Sequence, residues 1–158
     1  MASGKFQQDL CISLKISALE GHCNYSQDPY RKMRHQYSGC AYKGLLQDFT
    51  KYWHFNRKHI KRDAAHLFVG KKFTDGMIGC AGIGTLCKYA YGVEAIPWSS
   101  DISLQSNLFA HELAHNCGAT HINSPSNVMN SYITHSYNGF SQTSKSNINS
   151  YLKYQNCV

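Results

Sequence analysis

Hydrophobic and polar positions alternate between Cys11 and Leu19, with Ile12, Leu14, Ile16 and Ala18 set against Ser13, Lys15 and Ser17. A period of two predicts a half-buried strand. Gly21 to Gly39 is polar and reads as a loop. From Tyr42 to Phe55 the period becomes that of a helix: Leu45, Leu46, Phe49, Tyr52, Trp53 and Phe55 fall at helical spacing and are assigned to the core. The apolar run Ala65–Val69 predicts a buried strand. Asp75-Gly76 marks a turn, and Ile78–Ile83 is a glycine-rich strand along which another backbone can approach closely. Val93–Ile96 makes a last short strand before Pro97. Ser99, Ser100 and Asp101 offer caps for a helix from about Ser103 to Cys117. Residues 122–142 lack periodicity, and Ser144 is expected to cap a closing helix through Tyr154.

This order predicts an α+β (mixed α/β) chain: a twisted mixed sheet with helices, a mostly irregular lower part, and a cleft between the two. The chain has 158 residues, without repeats or a low-complexity linker, which is read as one domain large enough to bury a real core. The division is expected near Cys117, with an upper part over about 1–117 and a lower part over about 118–158.

The eleven residues from His111 to His121, HELAHNCGATH, add chemistry to that frame. His111 and His115, four positions apart on a helix, project from one face and can grip one ion together. Glu112 lies one position around, beside the ion without being needed as a ligand. Gly118 can adopt the backbone angles that end a helix and turn the chain, which brings His121 back as a third imidazole. Three neutral histidines leave one tetrahedral position open, the property that separates a catalytic zinc site from a structural one. Leu113, Ala114 and Ala119 make the segment buried rather than a solvated, histidine-rich surface helix.

The pattern His-Glu-x-x-His-x-x-Gly-x-x-His resembles that of the metzincin zinc endopeptidases. Ser126-Asn127-Val128-Met129-Asn130 resembles the methionine turn of that clan, with Met129 as the floor of the metal site. Within the clan the chain is most similar to the adamalysin (reprolysin) branch. Asp63-Ala64-Ala65-His66-Leu67-Phe68 resembles the branch's central strand, and Gly79-Cys80-Ala81-Gly82-Ile83-Gly84-Thr85-Leu86-Cys87 its cleft-edge strand. Phe140-Ser141, Ile148 to Leu152 and Cys157 resemble its closing helix and terminal cysteine. The branch usually has Asp directly after the third histidine, where this chain has Ile122, and an apolar residue where Cys117 stands. No counterpart of the branch's opening strand and first long helix is read before Lys5.

The resemblance implies a metzincin-like zincin fold and a zinc-dependent endopeptidase with one catalytic Zn2+. His111, His115 and His121 are the implied ligands and Glu112 the general base. The substrate is implied to lie extended along Gly79, Cys80, Ala81, Gly82, Ile83 and Gly84, with Ser131, Tyr132 and Ile133 walling the pocket beyond the scissile bond. Tyr132 is weighed as an oxyanion contact and assigned to packing, and His135 is assigned to the surface. A calcium site is compatible with the sequence but not indicated by it. The alternative from another class is a catalytically silent zinc-binding module that recognises protein surfaces.

Seven cysteines (11, 23, 40, 80, 87, 117 and 157) without a CxxC pair read as disulfides in an oxidising compartment. The resemblance favours Cys87 with Cys157. The pairing among Cys11, Cys23, Cys40 and Cys80 stays open, and the odd thiol is assigned to Cys117, turned about 200° from the metal side of its helix. The sequon Asn24-Tyr25-Ser26 fits a secreted chain. MASGKFQQDL is too polar for a signal peptide, so the chain is read as a mature form without its signal peptide and propeptide. No apolar run reaches membrane-spanning length.

The formal net charge is +7, concentrated in Arg57, Lys58, Lys61, Arg62, Lys71 and Lys72. This stretch is read as a solvated helix face and loop rather than a nucleic-acid groove. The expected partner is a protein or peptide substrate, with no nucleic acid and no membrane span, and the chain is expected to be monomeric.

Overall fold

The computed structural model describes residues 2–24, 26–30, 39–40, 44–135 and 139–157. Four helices surround a small sheet: α1 (Ala2–Leu10), α2 (Leu45–Asn56), α3 (Ile102–Asn116) and α4 (Gln142–Leu152). The strands are β1 (Ala65–Val69), β2 (Gly79–Ala81) and β3 (Tyr91–Ala95), ordered β1-β3-β2. β1 runs parallel to β3, with Ala65 opposite Tyr91, and β2 runs antiparallel to it, with Gly79 opposite Glu94.

Side-chain alternation gives the sheet two unlike faces. Ala65, Leu67 and Val69 of β1 join Tyr91, Val93 and Ala95 of β3 in an apolar cluster with Leu45 and Phe49 of α2. Phe49 meets Tyr91 edge-on at 5.7 Å and Trp53 at 5.8 Å. The residues between them, His66, Gly92 and Glu94, together with Gly79, turn to the other face, against α3. A second cluster, built from Phe6, Ala110, Leu113, Ala114, Val128, Met129, Phe140 and Ile148, joins α1, α3, the loop after it and α4.

Five expectations need correction. Cys11–Leu19 forms no strand ladder: Ile12 and Leu14 pack on the core, but Ile16 is 82% and Leu19 88% exposed. The alternation marked the inward side for Ile12 and Leu14 but not for Ile16 and Ala18, and the segment has no neighbouring strand among the described residues. Residues 2–10 are a helix, held by Phe6 edge-on to Phe140 at 5.2 Å and by Asp9, which pairs with Lys145 at 2.8 Å and accepts from the Phe140 amide at 2.7 Å. Closing helix α4 is capped by Ser141, whose Oγ accepts from the Ser144 amide at 3.1 Å, and ends at Leu152. Phe55 is 71% exposed because it falls on the solvent side of α2. β2 is three residues long, and its predicted continuation from Gly82 onward caps α3 instead. The start of α2 lies at Leu45; the predicted residues Tyr42 and Lys43 fall outside the described set.

Of the basic stretch, two arginines are braces. Arg57 pairs with Glu20 at 2.5 Å. Arg62 lies over the Trp53 and Tyr91 rings and donates to Tyr91 Oη at 2.6 Å. Lys58, Lys61, Lys71 and Lys72 are exposed, in keeping with a solvated loop.

Candidate metal centre and cleft

α3 carries the centre of the molecule. Asp101 caps it, its carboxylate accepting from the Ser103 and Leu104 amides. At the other end, three amides of the loop after β2 satisfy carbonyls that a helix terminus leaves unpaired. Gly84 donates to His115 O at 2.8 Å, and Thr85 and Leu86 both donate to Asn116 O at 3.0 Å. Gly118 then takes φ +89°, a conformation suited to glycine, and turns the chain back toward the helix. A Cβ at this position would also come within 2.8 Å of Tyr151 Cβ.

The turn delivers His121 to His111 and His115. Their three Nε2 atoms lie 3.0, 3.0 and 3.1 Å from one another. His111 Nδ1 donates to Val128 O at 2.7 Å and His115 Nδ1 to Ala119 O at 2.8 Å. A carbonyl can only accept, so both protons sit on Nδ1 and both Nε2 lone pairs face inward. Two inward lone pairs cannot bond to each other; a cation between them resolves the arrangement. Nitrogens bound tetrahedrally about 2.0–2.1 Å from one zinc ion would stand about 3.3 Å apart, close to the observed spacing. His111 and His115 are buried and His121 is exposed, so the set opens toward solvent on one side. Burial, with help from the neighbouring imidazoles, pushes His111 down to about 3, and burial likewise lowers His115. Both therefore stand neutral and ready to ligate.

The turn around Met129 fastens the set from below. Val128 O holds His111, while Met129 O accepts from the Ile122 amide at 2.8 Å, beside His121. Ile122 supplies no buried acceptor, and this backbone bond secures the third ligand's segment instead. Met129 itself is fully buried.

Glu112 is only 4% exposed, and burial, then Glu94, raise its pKa well above that of an ordinary carboxyl. Its carboxylate lies over Gly79, where a Cβ would collide with Glu112 Oε1. Glu112 and the three histidines open on a cleft of about 510 Å3, also lined by Gly79, Cys80, Ala81, Ile83, Ser131, Tyr132 and Ile133. Gly82 and Gly84 do not line it: Gly82 O accepts from Asn116 and Gly84 N caps α3. Cys40, Gly76, Met77, Ile78 and Leu108 also line it; Met77, Ile78 and Leu108 were not read as wall residues in the sequence, being ordinary apolar residues in the segment before β2 and in α3. Tyr132 is 80% exposed at the cleft mouth, so its assignment to packing does not hold; His135 lies on the surface as expected.

Disulfides join Cys87 to Cys157 and Cys40 to Cys80, with Cα separations of 5.7 and 5.6 Å. The first ties the end of the chain to the loop after β2; the second fixes β2 from its other side. Cys11 and Cys23 are free and exposed, so the expectation of disulfides there does not hold. Cys117 is a buried free thiol, raised by burial to about 12, which makes it inert rather than reactive.

Comparison with known proteins agrees with this geometry. Residues 35–158 match the reprolysin (M12B) family of zinc metalloproteases. The chain is 33% identical over 81 residues to a zinc metalloproteinase-disintegrin-like protein, BmMP, of Bungarus multicinctus. It is 34% identical over 80 residues to the disintegrin and metalloproteinase domain-containing protein adm-2 of Caenorhabditis elegans. Each match spans 50% of this chain but only 13% and 8% of those longer relatives. In structure, the chain is similar to metalloproteinase-II from Bacteroides fragilis, with a TM-score of 0.52 at 18% identity, over 67% of this chain and 34% of that one. That likeness is one of fold and agrees with a metzincin-like α+β architecture. Among the described residues no helix is long and apolar enough to cross a membrane. With the family matched over most of its length and three histidines positioned to hold one zinc ion, the chain belongs to the reprolysin (M12B) family of zinc metalloproteases.

Proposed function

We propose that this chain is an extracellular endopeptidase that hydrolyses peptide bonds of extended protein segments, with Glu112 as general base. The observation that carries the reading is the meeting of three Nε2 lone pairs and one buried carboxylate in a single open cleft. His111, His115 and His121 would hold a zinc ion, which when bound would supply Lewis acidity to the scissile carbonyl and lower the pKa of water from about 15.7 to near 7.

The chain's own residues do the rest. Glu112 accepts a proton from the attacking water and passes it to the leaving amine. Burial, then Glu94, disfavours its charged form and so raises its proton affinity, which suits a group that must take up a proton. Gly79, by lacking a side chain, leaves room for that carboxylate beside the bond to be cut. Among the described residues β2 is the edge strand on the cleft, and an extended peptide is expected to add to it as a further strand, with affinity from backbone bonds and little sequence preference. Ser131, Tyr132 and Ile133 stand on the opposite wall as the pocket for the side chain after the scissile bond. The two disulfides fit an oxidising, extracellular compartment.

Digestion of casein or gelatin, with and without chelator, tests the reading. Cleavage should stop when the metal is removed and return when zinc is added. Glu112→Ala should bind zinc as the parent does and lose at least about 100-fold in kcat, the scale of a positioned acid–base group. A zinc-loaded parent that cuts nothing would point to the silent recognition module; a Glu112→Ala variant with parental turnover would remove Glu112 as the base.

A further inference from the structure

Two buried polar residues on the inner sheet face take no part in the reaction described above. Glu94 of β3 is fully buried within an otherwise apolar strand, and His66 of β1 is held beside it, Nδ1 to Oε1 at 2.5 Å. On its far side, His66 Nε2 lies 3.1 Å from Asn116 Oδ1. The amide orientation of Asn116 is fixed, because its Nδ2 donates to Gly82 O at 2.9 Å, Thr85 Oγ1 at 3.2 Å and Tyr91 O at 3.3 Å. Oδ1 is therefore an acceptor and His66 Nε2 must carry a hydrogen.

That leaves one proton to share between His66 Nδ1 and Glu94 Oε1. With the proton on Glu94 the pair is a neutral imidazole and a carboxylic acid; with it on His66 it is an imidazolium and a carboxylate. Both arrangements are neutral overall, and both keep Nε2–H donating to Asn116. Burial favours the uncharged arrangement by raising Glu94, and His66 opposes it. Glu94 Oε2 has no hydrogen-bond partner among the described residues, which an uncharged carboxyl tolerates better than an ionised one. The fold makes room for the pair: Gly92 lies opposite His66 in the ladder, and a Cβ there would collide with the imidazole.

Asn116 is where this pair meets the metal centre. It directly follows His115, its carbonyl receives the Thr85 and Leu86 amides, and its side chain grips the loop leaving the cleft-edge strand. We propose that His66 and Glu94 form a neutral, one-proton clamp that acts through Asn116 to position His115 and the cleft edge relative to each other. They are positioning residues, remote from substrate, and the inference rests on the zinc-site reading given above. A clamp of this kind spends buried polar groups on geometry; an apolar pair of similar volume would serve stability equally well.

The test separates geometry from stability. Zinc affinity is measured by competition with a chromogenic chelator on protein shown to be folded, alongside Tm. Glu94→Gln should stay within about threefold of the parent, because its amide donates to Nδ1 of a neutral His66. His66→Ala strips the donor to Asn116 and leaves Glu94 unpaired, so both Tm and zinc affinity should fall. The double variant His66→Ala/Glu94→Ala removes the unpaired acid and should regain Tm relative to His66→Ala. Its zinc affinity should nevertheless stay roughly tenfold or more below the parent, the scale seen when a ligand's supporting bonds are removed. Val93→Ala, on the same strand but facing α2, should lose Tm and keep zinc affinity. A double variant that binds zinc like the parent, or a Val93→Ala variant that weakens zinc equally, would overturn the clamp while leaving the zinc site intact. A parent that binds no zinc would overturn the zinc-site reading, and the clamp with it.

Discussion

The two faces of the sheet are made by the same three strands and do opposite things. Toward α2 the strands present Ala65, Leu67, Val69, Tyr91, Val93 and Ala95, which pack against Phe49 and Leu45 without a charge among them. Toward α3 they present His66, Glu94, Gly92 and Gly79, a surface of polar groups and missing side chains. The first face gains free energy from apolar burial. The second gives up that gain so that Glu112 and the His66–Asn116 contact can fit. Stability and chemistry are thus set on opposite sides of a layer one strand thick, and variants should divide accordingly.

The largest effect should come from Gly79→Ala. A single methyl group there occupies the place of the Glu112 carboxylate, so kcat on a peptide substrate should drop by about 100-fold or more while zinc stays bound. Thermal unfolding should move little by comparison. Phe49→Ala on the opposite face should do the reverse, since Phe49 is 1% exposed and meets Tyr30, Trp53 and Tyr91. A loss of about 3–5 kcal/mol in chemical denaturation is expected. The turnover per folded, zinc-loaded molecule should be unchanged. If Phe49→Ala alters kcat, or Gly79→Ala only destabilises, the faces are not separable.

The metal centre was legible in the sequence because its information is local. His111, Glu112, His115, Gly118 and His121 lie within eleven residues, and helix geometry plus one glycine turn suffices to converge them. β1 was also readable, as a short apolar run with the predicted ends. What failed lacked local signal. α1 offers only Phe6 and Leu10 as large apolar residues, so no helical stripe appears; it is held by Phe140, Ser106 and Lys145, more than 90 residues away in every case. The alternation after Cys11 was real but carried no statement about a neighbour to pair with. Phe55 was placed in the core by its spacing, three residues beyond Tyr52, although that position turns it outward. The His66–Glu94 pair spans 28 residues and has no motif. Its one available clue was an acid inside an apolar strand, which calls for a buried partner.

The histidines give the comparison a pH dependence. In the metal-free protein His111 is pushed from 6.5 to about 3 and His115 is also lowered. A base whose folded pKa is depressed takes up protons preferentially when unfolded. Its contribution is therefore complete above about 6.5 and is lost as pH falls from there toward about 3. Glu94 and Glu112 act in the opposite sense, since both are raised: their contribution is present below 4.5 and declines as pH rises above it. The histidine part is isolated by difference. His111→Gln removes one depressed base, so the drop in Tm between pH 7 and pH 5 should be smaller in the metal-free variant than in the metal-free parent. An equal drop in both would mean that burial does not hold His111 neutral.

The smallest effect concerns the start of α3, the end of that helix remote from the metal centre. Asp101 accepts from the Ser103 amide at 2.6 Å and more weakly from Leu104 at 3.4 Å. Its carboxylate also faces the positive end of the helix dipole. Asp101→Ala should cost about 1 kcal/mol, and Asp101→Asn less, since the amide oxygen can still accept. The histidine ligands lie nine or more residues further along, at the end of the helix capped by Gly84, Thr85 and Leu86. A cap that acts locally should therefore lower Tm by a few degrees and leave zinc affinity and kcat at parental values. Loss of zinc affinity in Asp101→Asn would show instead that α3 moves as one rigid rod, so that its start is coupled to the metal centre and the division between stability and chemistry does not extend along the helix.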